Sequence, residues 1–137
     1  MIVGFTGTQR GMTAAQRETV DLMLRALPVS EGHHGDCIGA DADFDALLAT
    51  RGIRRVAHPG CDGRGLSPKR AFCTVDETRI TLRYMERNRA IIGSIDLLIA
   101  TPAEDHEVLR SGTWATIRMA NKTGRPVQIV YPDGTTR

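Results

Sequence analysis

Aromatic residues are scarce in this chain, with three phenylalanines, two tyrosines and one tryptophan among 137 residues. So few rings cannot build a stacking platform for single-stranded nucleic acid. An excess of one charge is also missing: 18 Lys and Arg face 16 Asp and Glu, a formal net charge of +2. No global field draws the protein to nucleic acid or a membrane surface, so neither is an expected partner. No apolar run approaches the roughly 20 residues that cross a bilayer, and the short apolar start reads as a strand rather than a signal peptide. The three cysteines cannot all pair within one chain. With no secretion signal, free thiols in a reducing cytoplasm are expected. Neither a G-x-G-x-x-G fingerprint nor a Walker loop occurs, which removes the standard dinucleotide and P-loop assignments.

What is present is a regular alternation of short apolar runs and amphipathic segments. Residues 1–5 read as a buried parallel strand ending in Gly-Thr. Thr13-Ala14-Ala15-Gln16 has capping-box form and opens a helix with Val20, Leu22, Met23, Leu24 and Leu27 on its apolar face, ended by Pro28. Residues 29–35 form a short and unusually polar second strand. A helix over 42–50 buries Phe44, Leu47 and Leu48 and stops at Gly52. Strands follow at 53–58, 96–101 and 127–131, and helices at 80–92, with Leu82, Met85, Ala90 and Ile91 inward, and at 113–123. Residues 60–78 form a long polar stretch of the kind that serves as a functional lid or stays disordered. Five alternations predict one domain over 1–137, a three-layer doubly wound α/β sheet of about five parallel strands in the order 3-2-1-4-5. Such sheets bind ligands at the carboxyl ends of the strands beside the switch in strand order, here between strands one and four.

Both of those strands end in small-residue turns. Thr6-Gly7-Thr8-Gln9-Arg10 offers hydroxyls, free backbone, an amide and a guanidinium able to clamp phosphate. After Thr101-Pro102, the stretch Ser111-Gly112-Thr113-Trp114 opens a helix whose first amides lack intrahelical partners, a natural seat for phosphate. Trp114 can stack on a base or pack internally. Gly39-Ala40-Asp41 starts another helix, and Asp36 or Asp41 can either serve the fold or bond a ribose hydroxyl. Arg87-Asn88 falls beside Ile91 near the apolar half of its helix, so a pocket-lining role competes with a solvated basic face formed with Arg83. His33, His34, Asp36, Cys37, His58 and Cys61 match no zinc spacing, and no metal or cofactor is expected.

The early G-x-T-G turn with its arginine (Gly4, Thr6, Gly7 and Arg10), the Gly39-Ala40-Asp41 turn, the Arg87-Asn88 pair and Gly112-Thr113 after strand four together resemble the SLOG superfamily. That group of Rossmann-like domains includes the Smf/DprA proteins, the LOG-type phosphoribohydrolases and small YspA-like proteins, the last being nearest in length and in the G-A-D turn. The resemblance covers nearly the whole chain without one diagnostic motif. It implies a nucleotide-derived ligand with phosphate at Ser111-Gly112-Thr113. LOG-type enzymes pair an arginine, at Arg87 here, with a P-G-G-x-G-T-x-x-E motif. Pro102 and Gly112-Thr113 match its ends, residues 103–111 replace the glycine pair, and Thr116 stands at the glutamate. A threonine cannot act as the general acid or base or stabilise a ribosyl cation as a carboxylate does.

These readings make a sensor or carrier of a nucleotide-like small molecule the expected function. A nucleoside 5'-monophosphate N-glycosidic hydrolase, with Arg87 and Asp36 catalytic, and a DNA-processing module are the alternatives. Ligand-binding residues are expected at Thr6, Gly7, Thr8, Gln9, Arg10, Gly39, Ala40, Asp41, Arg87, Asn88, Thr101, Pro102, Ser111, Gly112, Thr113, Trp114 and Thr116. Pairing into a homodimer is left open.

Overall fold

The apolar strand β1 (Ile2–Gly7) runs through the middle of the sheet, with β2 (Glu31–His34) on one side and β7 (Leu97–Thr101) on the other. Beyond them lie β3 (Arg54–Ala57) and β8 (Val127–Ile129), and β5 (Glu77–Thr78) forms the edge next to β3. This computed structural model describes residues 1–137. All pairings are parallel, in the order β5-β3-β2-β1-β7-β8. The five expected strands thus stand in the expected order. The sixth, β5, comes from the long polar stretch and has only two residues.

Helices α1 (Ala14–Ala26) and α2 (Ala40–Thr50) cover the face to which Val3 and Phe5 point. Phe5 and Phe44 stack there with centroids 4.4 Å apart, both out of solvent. Burial on this scale contributes about 1.5–3 kcal/mol per side chain. Helices α3 (Tyr84–Ser94) and α4 (Gly112–Lys122) cover the other face through Ile91, Ile92 and Ala120, joined by Ile95 just past α3, over Leu98. The Thr13–Gln16 capping box forms, and the side chain of Gln16 also donates to the carbonyls of Pro102 and Val130 at 2.8 and 2.9 Å. A buried amide therefore ties α1 to the ends of two neighbouring chain segments.

Two expected core residues face solvent: Leu22 is 54% and Met85 48% exposed. Leu22 lies off the stripe that carries Val20 and Leu24 toward the sheet. Met85 lies on the first turn of α3, which begins at Tyr84 rather than near residue 80 because Leu82–Arg83 forms β6, paired with β4 (Gly60–Cys61). The stretch 60–78 is neither disordered nor a detached lid. The Ile38 amide donates to the Lys69 carbonyl, and the buried Asp36 carboxylate receives Arg70 Nε and the Cys73 amide, both at 2.9 Å.

Candidate functional site

A cleft of about 680 Å³ opens at the carboxyl ends of β1, β2 and β7, where the strand order switches. Gly7 and Gly112, over a hundred positions apart in the chain, line the same cavity. With them stand Thr6, Thr8, Gln9, Arg10, Asp41, Arg87, Asn88, Ser111, Thr113 and Thr116. Cys37, Asp62, Pro68, Lys69, Tyr84, Glu104 and Arg110 line it too. Arg110 and Cys37 border small-residue turns, and Asp62, Pro68 and Lys69 belong to the polar 60–78 stretch, but no local pattern pointed to their convergence with Tyr84 and Glu104.

The turn after β1 sets the floor. Its amides are largely spent within the protein: Thr8 N–H donates to the Thr101 carbonyl, Gly11 N–H to the Thr8 carbonyl, and Arg10 N–H to Thr8 Oγ1. The Thr8 carbonyl also receives the Ala40 amide at 3.0 Å. Gly39 holds φ +86°, and any side chain there would collide with the Gln9 backbone. Gly39 and Ala40 therefore lock the second turn against the first instead of lining the cleft. Asp41 folds back so that Oδ2 accepts from the Gly35 and Cys37 amides at 3.0 and 3.2 Å. Burial pushes its carboxyl up, against the pull of His34 and Arg87.

Four other expected site residues stand elsewhere. Asp36 is buried beneath the cleft wall, holding Arg70 and Cys73, because its carboxylate satisfies a chain crossing that would otherwise be open. Thr101 is fully buried against Gly7, with an unpartnered hydroxyl. Pro102 is buried, its carbonyl bonded to Gln16. Trp114 is 4% exposed and packs with Ala100 and Ile117, so its ring is not open to stack on a base. Its indole N–H instead donates to Glu104 Oε1 at 3.0 Å.

Arg87 is 7% exposed, on the first turn of α3. Nη1 donates to the carbonyls of Gly35 and His58 at 2.8 and 3.1 Å, and Nε donates to Asn88 Oδ1 at 2.8 Å. Nη2 meets only the Cys37 sulfur at 3.9 Å, and the Tyr84 ring lies 5.5 Å from the guanidinium. No carboxylate forms an ion pair with this cation; the buried Asp41 feels its charge but bonds to the Gly35 and Cys37 amides instead. Burial and the Asp41 charge push the Cys37 thiol up to about 11, so it is a protonated neighbour rather than a counter-ion.

At the opposite wall, Ser111 Oγ caps α4 by accepting from the Trp114 amide, while the Ser111 carbonyl receives the Ala115 amide. The Gly112 and Thr113 amides have no acceptor in the protein. Thr116 Oγ1 donates to the Gly112 carbonyl at 2.9 Å, one turn back.

The histidines lie outside the cleft. His33 bridges Glu31 and His58 at 2.9 and 2.7 Å, and burial together with His33 holds the His58 imidazole down to about 3. His34, Asp45 and Cys73 bring ligand-type atoms within 4.8 Å of one another. His34 Nδ1 accepts from the Asp36 amide, which leaves Nε2 protonated and donating to Asp45 at 2.9 Å. Arg55 occupies the other carboxylate oxygen at 2.9 Å, and burial, with Asp45, pushes the Cys73 thiol up to about 12. His34, Asp45 and Arg55 are hydrogen-bonded in series, the imidazole lone pair is already used, and the Cys73 thiol beside them is held protonated, a chemistry that does not suit a metal.

Parallel strands in this order, with a cleft at the switch between β1 and β7, define a Rossmann-like fold. No family model matches the chain, and no curated protein does. Solved structures do. The chain is similar to the molybdenum cofactor binding protein of the phototrophic bacterium Rippkaea orientalis, at 16% identity and TM-score 0.69 over 95% of this chain and 76% of that one. It is similar to DNA processing protein A of Streptococcus pneumoniae, at 19% identity and TM-score 0.70 over 93% of this chain. It spans 49% of that protein's length. The Moco carrier protein of Chlamydomonas reinhardtii matches at 17% identity and TM-score 0.58, over 93% of this chain and 74% of that one. At these identities the likeness shows the fold.

Proposed function

We propose that the cleft binds a nucleotide or nucleotide-derived phosphorylated ligand and that the protein serves as its sensor or carrier. The observation that carries this reading is Arg87, a buried cation with no carboxylate partner and one guanidinium nitrogen facing only sulfur. Desolvating a charge is costly unless it is paired, so an anion entering the cleft supplies what the fold withholds. The unpartnered Gly112 and Thr113 amides add a second seat at the positive end of α4. Strand spacing puts the ends of β2 and β7 about 10 Å apart across β1, so one extended ligand can reach both walls. Two of the fold neighbours are named for binding or carrying a cofactor, which agrees with a carrier role.

Glycosidic hydrolysis has less support: the Thr116 hydroxyl is committed to Gly112, and α4 carries no carboxylate. Thermal unfolding with nucleoside mono- and diphosphates, cyclic dinucleotides and ADP-ribose tests the proposal. A ligand at 100 times its Kd stabilises by about 2.7 kcal/mol, a shift of several degrees. Single-stranded DNA is expected to give no shift. Absence of stabilisation by every phosphorylated ligand in the panel refutes the reading.

A further inference from the structure

We infer that Glu104 is the specificity-determining residue of this cleft and that it selects a ring bearing an N–H beside an exocyclic amine, the edge that guanine presents. The inference rests on the ligand-binding reading above and names the class of ligand for that site. Three carboxylates line the cavity: Asp41, Asp62 and Glu104. Asp62 is committed to its own turn, its Oδ1 accepting from the Arg64 and Leu66 amides. Asp41 is buried, with Oδ2 held by two backbone amides and its charge disfavoured.

Glu104 differs from both. Oε1 accepts the Trp114 indole N–H, Oε2 has no partner, and no lysine or arginine pairs with it. Because Trp114 is packed into the apolar cluster under α4, it fixes the carboxylate at the cavity wall. A fixed carboxylate accepts two parallel N–H donors, since Oε1 keeps a second lone pair. Adenine would put a ring-nitrogen lone pair against it, and hypoxanthine would offer the ring N–H without the amine. Losing one hydrogen bond to a charged acceptor costs about 10- to 100-fold in affinity.

The test is isothermal titration of the full chain with GMP, IMP and AMP. GMP is expected to bind tightest, IMP 10- to 100-fold weaker, and AMP weaker still. Glu104→Gln is expected to bring GMP and AMP within about threefold while the urea midpoint stays near wild type. Trp114→Phe keeps a ring but removes the N–H that orients the carboxylate, and is expected to weaken GMP more than AMP. Equal affinities of the wild type for GMP and AMP, or a Glu104→Gln variant that keeps the full gap, overturns the inference and leaves the nucleotide-binding reading standing. No binding of any of the three overturns the inference, and the nucleotide-binding reading falls with it only if the wider panel of diphosphates, cyclic dinucleotides and ADP-ribose gives no stabilisation either.

Discussion

Replacing Arg87 by methionine removes the donors of the guanidinium and keeps much of its bulk. In the folded protein Nη1 satisfies the Gly35 and His58 carbonyls and Nε satisfies Asn88 Oδ1. Each carbonyl left buried without a donor costs about 1–3 kcal/mol. Against that stands relief from holding an unpaired cation away from water, so the net expected loss is about 2–3 kcal/mol. With a urea slope of about 1–3 kcal/mol/M for a small protein, the unfolding midpoint falls by about 1 M. Arg87→Lys, able to satisfy part of this set, is expected to fall between the two. The assay is urea unfolding followed by circular dichroism, run without ligand and again with the tightest-binding nucleotide. The wild-type midpoint rises with ligand and that of Arg87→Met does not. A ligand-free Arg87→Met midpoint equal to or above wild type would refute the reasoning, since the main-chain contacts would then give no more than the buried charge takes away.

Gly39→Ala places a side chain at φ +86° against the Gln9 backbone and is expected to cost at least about 2 kcal/mol, read as a lowered melting temperature; an unchanged one would show that the two turns do not interlock. The folded state holds His58 down to about 3 against an ordinary value of 6.5, so the unfolded chain binds more protons between those values. Stability is therefore expected to fall as pH drops from about 6.5. Urea midpoints at pH 6.5 and 5 should differ in the wild type and less so in His58→Asn. Burial raises the Cys37 and Cys73 thiols to about 11 and 12. At pH 9, iodoacetamide should modify both at least about tenfold more slowly in the native protein than in urea; equal rates would show that the thiols are open to solvent.

The central strands were legible because β1 and β7 are continuous apolar runs, the pattern of a strand covered on both faces. The capping box at Thr13 and the stop at Gly52 were legible because caps are local chemistry, and Gly52 takes φ +64° as such a stop requires. The short strands β4, β5 and β6 were not. Two residues carry no period, and what holds their segment is Asp36 reaching Arg70 across 34 positions. The same distance in sequence hid the role of Asp36, which reads equally well as a ligand contact. The turn after β1 was recognised, but its amides go to Thr101 and to Thr8 itself, which no local pattern reveals. Trp114 sat on the right helix with its use undecided, because whether a third-position ring points into the cleft or the core depends on Ala100 and Ile117 around it.

The acceptors that seat Arg87 Nη1 are peptide oxygens, supplied where β2 and β3 end. A peptide oxygen is present whatever residue bears it, so exchanging the imidazole at position 58 leaves this bearing for the guanidinium in place. Position 35 has no such latitude: a methyl group there would sit 2.5 Å from Nη1. Replacements around this cation should thus be tolerated or rejected according to backbone course and room rather than side-chain polarity, and variants of the chain can diverge widely in composition there while keeping the same geometry for an incoming anion.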